Sequence, residues 1–269
     1  MKHTVTLSRL RACAVAAAVL VLSGCATTGN PQDPLEGYNR AVFSFNDAVD
    51  RTVLKPTATA YKKVLPGFAQ TGVNNFFGNL SDAWSSINNF LQGKVEDGGT
   101  DFGRFALNST FGIFGLLDIA SEAGMPKHNE DFGQTLGKWG VPSGPFLMLP
   151  LLGPSTVRDT AALPADFAGD IWKYKDPTHV RNIGAGVRIV DKRASLLDAS
   201  NLLEEAALDR YEFLRDGYLQ RRQSQVYDGD VPRQADGDAG ADSASDTASD
   251  AAGDANSQVV PQPVSPDKK

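Results

Sequence analysis

The sequence predicts a mainly α-helical protein, and three features of its 269 residues support that class. Apolar side chains recur at intervals of three and four residues in two long segments, which is the spacing of one face of an α-helix. The alternating patterns typical of strands are scarce. Residues 130–159 form a bent apolar stretch, rich in glycine and proline, that separates the helical segments.

The first predicted helix runs from Leu35 to about Val49. The tetrapeptide DPLE at 33–36 has the composition of a helix start, with Asp33 as the capping acid and proline in the first turn. Phe43 falls outside the apolar face of this helix. The predicted buried face consists of Leu35, Tyr38, Val42, Phe45 and Val49.

A second helix is predicted from Val73 to about Leu91, where Gly93 ends it. Its predicted buried stripe consists of Val73, Phe76, Phe77, Leu80, Trp84, Ile87 and Leu91. Further helices are predicted over 101–108, from a cap at Ser155 to Phe167, and over 202–225. Residues 181–193 show only weak helical periodicity.

The stretch EDFGQTLGKWGVPSGPFLMLPLLGPSTVRD at 130–159 is unusual because it is both broken and apolar. Its glycines and prolines predict neither a regular helix nor a long strand, yet it is too apolar for a solvated loop. Irregular backbone is tolerated at membrane depth where it is buried in protein or lines a cavity. We therefore predict a monotopic protein, set partway into one leaflet, since no apolar run reaches the roughly 20 residues of a spanning helix.

The N-terminus has the pattern of a bacterial lipoprotein signal at residues 1–24. Three cations precede a short apolar run that ends in Leu22-Ser23-Gly24-Cys25. This predicts cleavage before Cys25, acylation of that cysteine as a lipid anchor, and an acylated linker over 25–32. Residue 26 is Ala and not the Asp that resembles an inner-membrane retention signal, which favours the outer membrane.

The C-terminal residues 228–269 are predicted to be a disordered acidic tail. They contain nine Asp against three cations and no aromatic residue, so they cannot bury enough apolar area to offset the entropy of ordering. The remaining residues 33–227 are predicted to form a single helical domain. Nothing in its charge suggests nucleic-acid binding.

No catalytic or cofactor motif is found. Neither His128 nor His179 has the spacing of a zinc ligand, and no Gly-x-Ser-x-Gly nucleophile motif is present. The run from His128 to Asp131 could hold a cation, but a solvated loop is the simpler interpretation. We expect no cofactor, no metal and no enzymatic activity.

Several blocks of sequence resemble the MlaA (VacJ) family of outer-membrane lipoproteins. They are DPLEGYNRAVFSFND at 33–47, NFFGNL at 75–80, NNFLQGK at 88–94, RFALNSTFGIFGLLDIA at 104–120 and the glycine-rich stretch at 130–159. The resemblance covers residues 33 to about 225 and excludes the acidic tail. Residues 181–192 fit the family pattern poorly, so we assign no site residue there.

The resemblance implies a ring-shaped monotopic helical domain with a glycine- and proline-rich hairpin loop around a central amphipathic channel. Such a protein would remove mislocalised phospholipids from the outer leaflet, pass them to a periplasmic lipid carrier, associate with an outer-membrane porin trimer, and so maintain lipid asymmetry. Two alternatives stay open: a porin-associated structural lipoprotein that moves no lipid, and a lipid hydrolase.

By the same resemblance, the stretch at 130–159 borders the channel and the first helix lies near its mouth. Bending of the loop is expected at Gly133, Gly137, Gly140 and Gly144. Apolar contact with acyl chains is expected from Phe132, Leu136, Trp139 and Phe146, and polar contact from Lys138, Arg158 and Asp159. On the first helix the candidates are Phe43, Phe45 and Asn46, with Phe43 facing lipid and Phe45 packing in the core. The alternative is that these glycines form turns and these aromatic rings pack the core.

Overall fold

The computed structural model describes residues 30–231, and of residues 202–206 within them the backbone alone. The predictions for the signal peptide, for Cys25 and for the tail beyond residue 231 lie outside the described residues. The mainly α-helical class is confirmed. The helices are α1 (Glu36–Val49), α2 (Lys55–Val64), α3 (Gly67–Leu91), α4 (Val95–Thr110), α5 (Ile119–Glu122), α6 (Phe132–Lys138), α7 (Val157–Gly169), α8 (Thr178–Ser195), α9 (Leu197–Ala206) and α10 (Arg210–Val226). Two short strands, β1 (Phe146–Leu149) and β2 (Gly153–Thr156), lie between α6 and α7.

Helical backbone continues from α1 into α2 through a π-helical segment, Asp50–Leu54. The amide of Lys55 donates to the carbonyl of Asp50, five residues earlier. Pro56 follows directly; it has no amide donor, and its ring would crowd the carbonyl four residues before it in a regular α-helix. The wider π turn therefore lets one long helix contain this proline.

The start of α1 was predicted within one residue, but the predicted cap was wrong. No side chain caps this helix, and Asp33 is fully buried instead. Its carboxylate accepts from Asn39 at 2.8 Å, from the Tyr211 hydroxyl at 2.5 Å and from Arg215 at 3.3 Å. These donors come from α1 itself and from α10, so Asp33 joins the two helices and does not close the first turn of α1.

The helices α3 and α4 pack against each other, and the buried face of α3 differs from the predicted one. Apart from Phe77, the buried residues of α3 are polar. Ile87 and Leu91 of the predicted apolar stripe are 48 % and 42 % exposed, so the prediction that they are buried was wrong. The helical spacing was right, but the face that turns inward is the one rich in Asn, Ser and Asp.

The glycine-rich stretch is more regular than predicted. It contains α6, whose first turn is capped by Asp131 accepting from the amide of Gln134 at 2.9 Å. It also contains the antiparallel hairpin β1–β2, with Phe146 opposite Thr156 and Leu149 opposite Gly153. The bend requires left-handed backbone at Leu151 and Gly153, with φ of 63° and 88°. The prediction that no regular helix forms here was therefore wrong over Phe132–Lys138.

Three further boundaries differ from prediction. Thr156, and not Ser155, caps α7 by accepting from the amide of Asp159 at 3.2 Å. The weakly periodic segment is a complete helix, α8, of 18 residues. The last predicted helix is divided into α9 and α10, because Asp209 caps a new helix by accepting from the amides of Tyr211 and Glu212.

Within residues 30–231, none of the helices combines the length and the apolar character that crossing a bilayer requires.

Candidate functional site

Residues 30–231 reverse the usual distribution of polar and apolar side chains. Among them, buried polar or charged side chains outnumber buried apolar ones, and the largest fully buried side chain is that of Arg104. Conversely, Phe68, Phe111 and Phe114 are 81 %, 74 % and 78 % exposed. Proteins surrounded by water normally show the opposite pattern, and large exposed apolar surface marks contact with a membrane or a protein.

Polar side chains pair with one another between α3 and α4. Asn89 donates to Asp101 at 2.9 Å, and Arg104 lies 3.4 Å from Asp82 and 3.0 Å from Asp118. Burial raises the pKa of the Asp82 carboxyl, although Lys127 and Arg104 act against this rise. These contacts offset part of the cost of burying polar groups, although among residues 30–231 Asp82 Oδ2, Arg104 Nε and Asn89 Oδ1 have no hydrogen-bond partner.

The larger of two adjoining cavities has a volume of about 820 Å³. It lies between α3, α8, α10 and the tip of the β1–β2 hairpin. Cationic side chains predominate among its charged lining residues, which are Lys127, Arg188, Lys192, Arg193 and Arg210 against Asp50 and Asp191. Its apolar lining includes Phe77, Leu151, Leu152, Ile189, Leu196 and Leu214. The wall thus offers cations and alkyl groups side by side.

The second cavity measures about 560 Å³ and is lined by α3, the segment before α6, α7 and α10. Acidic residues predominate among its charged groups, which are Glu130, Asp131, Asp166 and Asp170 against Arg188, Arg221 and Arg222. Ser81, Asn129 and Arg188 line both cavities. The two cavities therefore adjoin at these three side chains.

Arg188 of α8 is the charged residue at this junction. Its guanidinium donates to Asp170 at 2.9 Å and to Ser81 at 3.3 Å, and it lies over the ring of Phe77 at 5.6 Å from the centroid. Ring and carboxylate hold the cation from two sides. Because more than a third of the side chain is exposed, the cation can also reach a ligand in either cavity.

The glycine-rich stretch is fixed at both ends by α10. Arg222 binds Asp131, at the start of α6, and Asp159, in the first turn of α7. Tyr218 also donates to Asp159, at 2.9 Å. Gly133 lies beneath these groups, where an added Cβ would stand 2.4 Å from Arg222 and 2.6 Å from Asp159. This glycine is required for close approach and not only for bending.

Of the predicted residues of the first helix, Phe43 and Asn46 contact the hairpin region, whereas Phe45 is exposed. Phe43 packs edge to face on Tyr211, with ring centroids 5.8 Å apart, whereas Phe45 is 52 % exposed. The predicted core position of Phe45 was therefore wrong, whereas the lipid contact predicted for the half-buried Phe43 stays a prediction. Asn46 donates to the carbonyl of Leu149 at 2.9 Å and accepts from the amide of Leu151 at 2.8 Å, which ties α1 to the hairpin.

On α6, Phe132 and Trp139 meet edge to face, and the Trp139 indole donates to the carbonyl of Leu91 at 2.9 Å. Leu136 is half-buried, and Lys138 is exposed and pairs with Asp228 at 3.2 Å. Phe146 is fully buried beside Met148 and Tyr211, so the expectation that it faces acyl chains was wrong.

The remaining predicted glycines and charges have structural positions. Gly140 and Gly144 have φ of 91° and 68°, which a side chain would strain, and an added Cβ on Gly137 would stand 2.7 Å from Arg158. Arg158 and Asp159 are buried and paired at 2.9 Å. Burial would raise the pKa of Asp159, but Arg222 and Arg158 outweigh this and lower it. The polar contact of this buried pair with lipid stays a prediction.

None of the residues predicted for the hairpin or the channel is on the wall of the two cavities described above. Arg188 and Lys192, which lie one turn apart on α8, were not among the predicted site residues. The spacing of these two cations at i and i+4 was the signal that could have indicated them.

The run from His128 to Asp131 is not a solvated loop, because His128 contacts Asp101 at 3.1 Å and Asp131 binds Arg222. Residues 30–231 contain no group of three potential metal ligands.

Fold and cavities define a class of mainly helical proteins with adjoining polar cavities inside and large apolar side chains outside. The chain belongs to the MlaA lipoprotein family, whose model matches residues 31–225. It is 34 % identical over 242 residues to the intermembrane phospholipid transport system lipoprotein MlaA of Escherichia coli (strain K12), covering 87 % of this chain and 95 % of that protein.

A relative of the same name from Haemophilus influenzae is 31 % identical over 221 residues, covering 78 % of this chain and 88 % of the relative. A solved structure described as the structural basis for maintenance of bacterial outer membrane lipid asymmetry is 36 % identical and superimposes with a TM-score of 0.64. That match covers 72 % of this chain and 98 % of the solved one.

Proposed function

We propose that this protein is an outer-membrane lipoprotein that removes mislocalised phospholipids from the outer leaflet through an amphipathic path in its interior. The lipids pass to a periplasmic carrier, and lipid asymmetry is thereby maintained. The chain is anchored at the periplasmic face through acylated Cys25. It cleaves no bond and uses no cofactor.

The observation that carries the proposal is the pair of adjoining cavities. A phospholipid that changes leaflets must move a charged head group past hydrocarbon, which is costly without polar shelter. Arg188 and Lys192 offer such shelter to a phosphate, while Leu151 and Leu152 on the same wall contact alkyl chains. A passive path of this kind lowers the barrier to transfer without an energy source.

The exposed apolar side chains support a position within one leaflet. The segment 111–117 (FGIFGLL) contains no polar side chain, and Phe111, Ile113 and Phe114 are exposed. Several of its backbone groups are bonded internally, for example the amide of Leu117 to the carbonyl of Gly112 at 2.9 Å. Internal bonding of this kind is what hydrocarbon requires of irregular backbone.

A structural lipoprotein that only organises porins is the alternative function. The exposed apolar surface would suit a porin trimer as well as acyl chains. The adjoining cavities, however, would have no role in such an adaptor, and for this reason lipid transfer is the stronger proposal. Association with a porin trimer remains part of the proposal in either case.

Blocking the junction between the cavities tests the proposal. We expect Ser81→Trp, which introduces an indole between the two cavities, to abolish transfer of acyl-labelled phospholipid between vesicles by the full chain. The same variant should raise surface-exposed phospholipid in a strain in which it replaces the native chain. Ser44→Trp, on an exposed serine of α1, should leave both measurements unchanged.

Porin pull-down separates the two functions. If Ser81→Trp transfers lipid at the native rate while it stays folded, the path does not run through this junction and the proposal fails. If neither the native chain nor Ser81→Trp transfers lipid but both retain the porin in the pull-down, the adaptor function is correct. Release of lysophospholipid would instead indicate a hydrolase, and we expect none.

A further inference from the structure

A small polar pocket of about 220 Å³ adjoins the larger cavity between α3 and α8. Asn74 and Asp191 line both spaces. The remaining lining of the small pocket consists of Gln70, Thr71, Ala194 and Ser195. The pocket therefore has one carboxylate among neutral polar groups, whereas the large cavity beside it is mainly cationic.

Asp191 is buried, with only 7 % of the residue exposed, and its described partners are neutral. Its Oδ1 accepts from the Tyr61 hydroxyl at 2.9 Å, and its Oδ2 accepts from Asn74 at a long 3.4 Å. Throughout residues 30–231 no cationic side chain forms an ion pair with it. A buried carboxylate without a countercharge is costly, so a cation that reaches this group would lower that cost.

Tyr61 keeps this carboxylate in place as a donor. Burial, with the hydrogen bond to Asp191 as a second cause, raises the pKa of Tyr61 to about 12. The hydroxyl therefore remains protonated at neutral pH and occupies one oxygen of Asp191. The weakly bonded Oδ2 is the oxygen that remains for a stronger donor.

The same face of α8 carries groups of alternating charge. Arg188, Asp191, Lys192 and Ser195 stand at positions i, i+3, i+4 and i+7, and each lines one or both of the two spaces. Lys192 has no described ion-pair partner within residues 30–231 and faces the larger cavity. A cation for a phosphate and a carboxylate for an amine are thus neighbours on one helix.

We propose that the small pocket binds the primary ammonium group of a phospholipid head group whose phosphate lies against the cations of the larger cavity. This inference rests on the proposed lipid transfer and names its preferred substrate class, an aminophospholipid such as phosphatidylethanolamine. The ammonium donates to Asp191 Oδ2 and to the hydroxyl and amide oxygens of Thr71, Gln70 and Ser195. Asp191 is thus a specificity-determining residue.

The chemistry excludes the other common head groups from the same contacts. A trimethylammonium group, as in phosphatidylcholine, has charge but no N–H to donate. The glycerol of phosphatidylglycerol donates hydrogen bonds but has no charge to balance Asp191. Hydrogen bonds to charged groups are among the stronger ones in proteins. The loss of one such bond lowers affinity roughly tenfold or more, so the primary amine should be preferred by that factor.

The test measures binding of three head groups to the full chain. Vesicles of phosphatidylcholine carry traces of acyl-labelled phosphatidylethanolamine, phosphatidylglycerol or phosphatidylcholine, and the label bound per protein is determined. We expect phosphatidylethanolamine to be enriched about tenfold over phosphatidylcholine. Asp191→Asn should lose this enrichment and bind the other two lipids as before. Asp198→Asn, on an exposed acid of α9, is the matched control and should keep it.

The possible results are distinct. Equal binding of the three lipids by the native chain overturns the inference and leaves lipid transfer intact, and this comparison needs no variant to fold. Retained enrichment in folded Asp191→Asn overturns it as well. Absence of all three lipids from the native chain contradicts lipid transfer itself, and the inference fails with it. Should Asp191→Asn not fold, Tyr61→Phe supports the inference if it weakens the enrichment and opposes it if it does not.

Discussion

Arg222 of α10 and Asp131, which caps α6, form a two-pronged ion pair. The nitrogen Nη1 donates to Oδ2 and Nη2 donates to Oδ1, each at 2.6 Å. The same guanidinium donates through Nε to Asp159 at 2.9 Å. A single cation near the end of α10 thus holds both ends of the glycine-rich stretch.

Replacing this cation should strongly destabilise the fold. Arg222→Met leaves the partly exposed Asp131 and the buried Asp159 without their shared partner, and removing one member of a buried pair such as Arg222–Asp159 typically costs about 3–5 kcal/mol. We expect a loss of that order in the free energy of unfolding, measured by denaturant titration in mild detergent. Arg221→Met is the control, because the side chain of Arg221 is exposed and forms no ion pair within residues 30–231. Equal stability of the two variants would contradict the role of the pair.

The same cluster gives a pH dependence with a defined sign. Burial would raise the pKa of Asp131 and Asp159, but Arg222 outweighs burial at both and lowers them. Acids with a lowered pKa stabilise the fold fully above their unfolded pKa of about 3.9, and this stabilisation is lost as pH falls through the folded pKa. The difference in unfolding free energy between the native chain and Arg222→Met should therefore be largest near pH 7 and shrink below about pH 4. A difference that stays constant from pH 7 to pH 3 would show that charge is not its basis.

Two glycine substitutions should have effects of opposite sign. Gly133→Ala places a Cβ where Arg222 and Asp159 stand, so we expect a loss of about 1–3 kcal/mol in unfolding free energy. Gly99 lies inside α4 with nothing within 4 Å of an added Cβ. Gly99→Ala should therefore stabilise the protein by about 0.5–1 kcal/mol, through helix propensity. Thermal unfolding of both variants checks the two signs together.

The helices with strong periodicity could be predicted from the sequence. The start of α1 was predicted within one residue, and Leu91 was correctly given as the end of α3, because Gly93 with φ of 83° stops the helix there. Which face is buried could not be predicted. The rule that apolar faces turn inward assumes water outside, and the exposed rings of Phe45 and Phe90 show that it fails here.

The candidate site depends on contacts between residues distant in sequence. Gly184 weakens the periodicity of α8, yet an added Cβ there would stand 2.1 Å from Trp172, so the glycine serves close packing inside a regular helix. Asp33 looks like a cap until its partners Tyr211 and Arg215, 178 and 182 residues away, are known. Local patterns fix helical spacing, but they contain no information about such partners.

The apolar segment 111–117 should determine binding to vesicles. Phe114 is 78 % exposed in left-handed backbone with φ of 56°, and burial of such a ring in acyl chains is worth about 1.5–3 kcal/mol. In a chain carrying Cys25→Ala, which removes the acyl anchor, we expect Phe114→Ser to weaken vesicle binding about tenfold or more in flotation assays. In the same background, Phe114→Leu keeps the apolar character at the same backbone position and should bind nearly as Cys25→Ala alone does. Unchanged flotation of Phe114→Ser would place this segment outside the bilayer.

Charge reversal in the larger cavity should slow lipid transfer without unfolding the chain. Lys192 is exposed to that cavity and has no described ion-pair partner in residues 30–231, so Lys192→Glu breaks no ion pair of the fold. It does place a second acid beside Asp191, and a phosphate entering the cavity then meets repulsion in place of attraction. Like-charge contacts of this kind cost enough to reduce the transfer rate by tenfold or more.

Lys175→Glu makes the same change on an exposed residue that lines neither cavity and should transfer lipid at the native rate. Transfer assays with acyl-labelled phospholipid compare the two variants, while circular dichroism verifies that both are folded. If the two variants transfer lipid equally, the cations of this cavity do not contact the phosphate, and the lipid path must follow another wall of the protein.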